Sequence, residues 1–157
     1  MKYLSIFIAL WMAAVSFAAC GNDDVEDPTF GTNDKEVTRP NWQKPSNLHY
    51  SSMTVIIDQQ ALPADVEPSK DDLLGAFVND QCRGVIAPVE DIDELYRFYL
   101  VVLATTDDVN NADVKVELRY YNDKEKRIYT SRPFSFEYDG RLGSITKSFV
   151  PTWKSTN

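Results

Sequence analysis

Histidine is nearly absent. His49 is the only one, so a single copy of the chain cannot build a metal site from imidazoles. The six glycines form no phosphate-cradling loop, and no G-x-S-x-G turn presents a serine nucleophile. A Cys/His dyad would require Cys82 to meet His49, with no base adjacent to the cysteine in sequence. The usual parts of phosphate and nucleophilic chemistry are therefore missing, and the chain reads as a non-enzyme. Positive charge is the scarcer sign, 16 Lys and Arg against 24 Asp and Glu, a net charge of -8. That balance argues against nucleic acid and anionic lipid headgroups as partners. No stretch carries a convincing long helical period; the segment Val89 to Leu95 is the best place for one short helical turn.

The longest apolar run is N-terminal. Met1-Lys2 gives a positive start, and Leu4 to Ala19 is apolar except for Ser5 and Ser16. The run is short for a membrane span, which takes about 18 or more residues, and it ends in small residues followed by acid, the pattern of a secretory signal. Ser16-Phe17-Ala18 would suit an ordinary signal peptidase cutting after Ala18. Phe17-Ala18-Ala19-Cys20 resembles the lipobox of bacterial lipoproteins, although Phe17 departs from the aliphatic residue usual there. The resemblance implies a diacylglyceryl group on the Cys20 thiol and cleavage before it, with a lipid anchor to the membrane in place of a span. Cys82 is then the only thiol, so no intramolecular disulfide forms. Loss of Lys2, the one charged residue of 1–20, takes the net charge to -9.

Gly21 to Asn41 holds Asp23, Asp24, Glu26, Asp27, Asp34 and Glu36 and few large apolar residues. Such a segment buries too little to order itself and reads as a tether, reaching about 70 Å when extended. The acidic run from Asp23 looks like the export signals of surface lipoproteins of the Bacteroidota type. That resemblance implies an outer-membrane lipoprotein facing the cell exterior, with the periplasmic face as the alternative.

Residues 42–157 change character. Val114, Val116, Leu118 and Tyr120 alternate with Lys115, Glu117 and Arg119, and Phe134, Phe136 and Tyr138 repeat the pattern. Leu95 to Ala104 is apolar on both parities apart from Arg97, as in a central strand. Met53–Asp58, Leu74–Val78, Gln81–Ile86, Arg127–Thr130 and Ser144–Phe149 complete about eight strands, with turns at Asn79-Asp80, Asn122-Asp123 and Asp139-Gly140. The fold expected is all-β, a two-sheet antiparallel β-sandwich, with an open β-barrel as the alternative.

A two-residue turn at Asn79-Asp80 sets Val78 opposite Gln81, Phe77 opposite Cys82 and Gly75 opposite Gly84. Cys82 then reads as a buried small hydrophobe facing inward, on a face kept open by glycine for side chains of the other sheet. Gly75-Ala76-Phe77-Val78 followed by Cys82-Arg83-Gly84-Val85 is similar to a motif of secreted and surface β-sandwich modules of the Bacteroidota. The resemblance covers most of residues 42–153 and implies fold and compartment, with no catalytic residues attached.

Asp107, Asp108, Asn110 and Asp113 crowd oxygen ligands into one turn and form the candidate calcium site, without EF-hand spacing. The other acidic loops, Asp65 to Asp72 and Glu90 to Glu94, read as solvated charge. Tyr99 and Tyr121 fall on the opposite parity from their core neighbours, so exposed rings there would suit a sugar-binding face. The expected function is a lipid-anchored binding module for extracellular glycan. The alternative is a scaffold subunit that contacts another envelope protein.

Overall fold

The computed structural model describes residues 36–91, 94–108 and 111–154, all within the unit Asp34–Asn157. The signal segment, Cys20 and the tether up to residue 35 lie outside the described residues. Nine strands occur among the described residues: β1 (Leu48–Asp58), β2 (Leu73–Val78), β3 (Gln81–Ile86), β4 (Val89–Glu90), β5 (Tyr96–Thr105), β6 (Lys115–Asn122), β7 (Arg127–Thr130), β8 (Phe134–Ser135) and β9 (Arg141–Leu142). They form two sheets, ordered β4-β5-β1-β9 and β3-β2-β6-β7, with β8 paired to β6. All pairings are antiparallel except β1 with β9. This is the expected two-sheet sandwich and not a barrel.

Period-two alternation builds the core. Met53, Val55 and Ile57 of β1 and Phe98, Leu100, Val102 and Ala104 of β5 meet Leu74, Ala76 and Val78 of β2 and Val116, Leu118 and Tyr120 of β6, all buried. Each large side chain so placed contributes about 1.5–3 kcal/mol. The intervening residues project outward, which sets Tyr99 on the outer face of the first sheet and Tyr121 on the outer face of the second.

Two sheet edges are covered by chain from the C-terminal part. The β7 edge is taken by residues 152–154, through Arg132 N–H to Thr152 O (2.6 Å), Lys154 N–H to Thr130 O (2.8 Å) and a bridge between Ser131 and Trp153. The β1 edge is taken by β9, by Thr54 N–H to Gly140 O (3.0 Å) and by Phe149 N–H to Ile56 O (2.8 Å). Covered edges offer no template for further strand pairing.

Several boundaries differ from the sequence expectation. The first strand begins at Leu48, five residues before Met53. Ser144–Phe149 is not a strand. Ser144 N–H bonds Lys147 O and Lys147 N–H bonds the Ser144 hydroxyl, closing a turn that competes with a ladder. The expected Phe134–Tyr138 strand shortens to Phe134–Ser135; Phe136 N–H still bonds Val114 O (2.9 Å), and beyond it Gly140 N–H returns to Glu137 O in a turn. The short helical turn lies at Gln59–Ala61, where Asp58 accepts from Gln60 and Ala61 N–H, and Val89–Glu90 is strand instead.

The β2–β3 hairpin has the two-residue turn, with Asn79 and Asp80 both at positive φ (47° and 61°). Phe77 pairs with Cys82, but Ala76 pairs with Gly84 and Gly75 with Val85. Arg83 is the extra residue of a β-bulge, so the two glycines do not face each other. A Cβ at Gly84 would lie 2.1 Å from Val101 O of β5, and one at Gly75 would lie 2.8 Å from Trp42 on the outer side. Gly84 thus lets β3 close against β5, and Gly75 seats Trp42.

Candidate functional site

On the outer face of the first sheet, Ile56 and Tyr99 are register partners, as are Thr54 and Arg141. Residues 144–146 arch over the same face, and together these side chains line a groove of about 470 Å³. The arch is held where it is by Gly143, at φ +83°, because a Cβ there would lie 2.5 Å from Ile56 O and from Phe149 N. Ile56, Tyr99 and Ile145 make an apolar floor and wall, with Ile145 59% exposed. Thr54, Ser144 and Thr146 supply hydroxyls. Arg141 supplies the only charge of the lining. Tyr99 is half-buried, and its hydroxyl has no hydrogen-bond partner among the described residues. A ring face beside hydroxyls and a guanidinium can hold an amphipathic, hydroxyl-rich ligand.

Tyr121 does not share that site. It is 0% exposed and lies on the opposite side of the sandwich. Val37, Thr38 and Arg39 lie beside its ring, its hydroxyl donates to Asp123 (3.3 Å), and burial pushes that hydroxyl's pKa up. The segment 36–41, the last part of the expected tether, rests on the second sheet: Val37 N–H bonds Lys126 O (2.7 Å), and Arg39 reaches Asp71 O and Asp123. Trp42 continues the segment and meets the Phe77 ring edge-on, centroids 5.3 Å apart. Below it, Arg119 stacks on Phe77 at 4.2 Å and pairs with Asp80 and Glu117. Alternation alone predicted two exposed tyrosines; the covering segment is why only one has an accessible face.

Cys82 is buried, as expected, but it does not point between the sheets. It lies on the outer side of the second sheet with Phe77, beneath residues 41–45. Burial raises its thiol pKa, and its S–H donates to Gly84 O at 3.4 Å. The side chain of His49 lies outside the described residues.

The members of the calcium candidate have separate roles. Asp108 is buried. It accepts from Thr105 N–H (2.7 Å) and Thr105 Oγ1 (2.8 Å) and pairs with Arg83 at 3.1 Å. Asp113 pairs with Lys115, Asp107 is exposed, and Asn110 lies outside the described residues. Among the described residues no three His, Cys, Asp or Glu side chains are placed to hold a metal ion.

The polar group that sequence reasoning missed is Asp72, grouped above with solvated loop charge but fully buried. Its carboxylate accepts from Ser69 N–H and Oγ, Asp123 N–H, Asn122 Nδ2 and the Tyr120 hydroxyl. The Ser69-x-x-Asp72 spacing was the available signal, since such pairs close local turns. This network ties the loop before β2 to the end of β6 and is structural.

The fold and the groove define a small all-β module with an open groove of mixed polarity on one outer face. The chain matches no protein-family model, no curated protein and no solved structure.

Proposed function

We propose that this chain is a binding module held at the outer membrane by a lipid on Cys20, facing the cell exterior, and that it captures extracellular saccharide in the groove over Tyr99. The observation that carries the reading is the groove itself: an apolar floor containing a tyrosine ring, edged by three hydroxyls. Sugars present apolar ring faces edged with hydroxyls, and this surface is complementary to both. The Bacteroidota-like hairpin motif and the lipobox support the compartment. A glycan array probed with the full chain in detergent should give hits that Tyr99→Ala abolishes and Tyr121→Phe leaves intact. Hits indifferent to Tyr99→Ala would overturn the site.

A second reading has its own support. Val101 is 47% exposed on the same outer face as Tyr99, and Val89 and Ile145 are more than half exposed. Exposed apolar side chains such as these suit contact with another envelope protein. Photo-crosslinkers placed at Val101 on intact cells should capture one specific protein if this reading holds, and a blank glycan array from folded protein would favour it.

A further inference from the structure

We infer that the groove over Tyr99 takes a saccharide that carries a carboxylate, and that Arg141 selects it; the inference rests on the saccharide reading above. The whole chain is acidic, with a net charge of -8, yet the groove lining holds one arginine and no carboxylate. Arg83, Arg97 and Arg119 are by contrast engaged, with Asp108, with Asp91, and with Asp80 and Glu117 respectively. Arg141 is exposed, and its guanidinium makes no hydrogen bond or ion pair among the described residues. Its position is fixed by pairing, since β9 runs parallel to β1 with Arg141 opposite Thr54.

Distance fits the chemistry. Tyr99 in β5 and Arg141 in β9 flank β1; two strand spacings of about 4.8 Å and the two-residue offset between Ile56 and Thr54 put their backbones about 12 Å apart. A sugar ring stacked on Tyr99 leaves an interval that a long arginine side chain can bridge to a substituent of the same ring or the next. The planar guanidinium donates two parallel hydrogen bonds to a carboxylate, a geometry that a neutral hydroxymethyl group cannot use. The hydroxyls of Thr54, Ser144 and Thr146 remain for the sugar's own hydroxyls. The ligand class is therefore an oligomer containing uronic-acid-type units.

Calorimetry on the full chain in detergent, with an oligogalacturonate and with its methyl ester, separates the claims because the ester keeps the backbone and loses the charge. The acid should bind about ten-fold or more tightly than the ester, as a charge-assisted pair implies. Arg141→Gln should remove that preference, bringing acid affinity down to that of the ester, while leaving the melting temperature unchanged. Tyr99→Ala should weaken both ligands. Arg132→Gln, an exposed arginine outside the groove, should keep the preference. Equal affinity for acid and ester, or a preference that survives Arg141→Gln, overturns acid selection and leaves saccharide capture standing. Binding of neither by folded protein overturns acid selection here and counts against saccharide capture as well.

Discussion

Gly84 sits where a methyl group has no room, because the Val101 carbonyl of the other sheet would lie 2.1 Å from it. Backbone cannot swing aside as a flexible side chain does, so Gly84→Ala should cost about 1–3 kcal/mol, measured by denaturant unfolding. Asp108 shows a different dependence. Removing it leaves Arg83 charged and buried, with its Nε and Nη1 already lacking partners. Asp108→Ala should therefore cost about 3–5 kcal/mol. Because that carboxylate is occupied by Arg83 and Thr105, added calcium should leave the wild-type melting temperature unmoved; a clear rise would restore the metal reading. Tyr120 adds a pH dependence. Burial first, and then its hydrogen bond to Asp72, raise its pKa well above the ordinary value near 10. The folded state then holds a proton that the unfolded state releases above that value. Stability is fully present below about pH 10 and falls as pH rises, by about 1.4 kcal/mol per pH unit for this group. Unfolding midpoints at pH 8 and pH 11 should show the fall, and Tyr120→Phe should reduce it, with Cys82, Tyr121 and Tyr129, also raised, keeping a part, while costing about 1–3 kcal/mol at neutral pH.

At the scale of elements, the hairpin around Cys82 and the segment over it behave as one unit. The turn was legible because Asn79-Asp80 tolerates positive φ at both positions. The bulge was not, since nothing local distinguishes Arg83 as the extra residue; it is stabilised by Asp108, 25 positions away in sequence. Cover from residues 41–45 makes Cys82 a reporter of that packing. In native protein at pH 8 the thiol should react with iodoacetamide at least about ten-fold slower than in denaturant, since burial lowers both its access and its thiolate fraction. Trp42→Ala should remove the ring seated against Gly75 and speed labelling, with the rest of the fold retained. A wild-type thiol as reactive as the unfolded one would mean that the segment does not cover it. Ser144–Phe149 teaches the same lesson from the other side. Its alternation matched a strand, but Gly143 and the Ser144 turn made it the arch of the groove.

For the whole molecule, the lipobox reading predicts that labelled fatty acid enters the wild type and not Cys20→Ser, and that the variant is released from the membrane. Fatty acid absent from the wild type would remove the anchor. The sequence by itself determined an all-β chain with inward and outward faces, because alternation follows directly from the two-residue repeat of a strand and requires no partner to be read. It also determined the hairpin turn and the burial of Cys82. Tertiary structure alone decided which outward faces stay open. Tyr99 and Tyr121 carry the same pattern, yet residues 36–39 lie beside one and 144–146 arch above the other to leave a groove. Long-range cover of this kind depends on where distant segments return, and Arg141, unremarkable in the linear chain, joins the groove lining only because β9 pairs with β1.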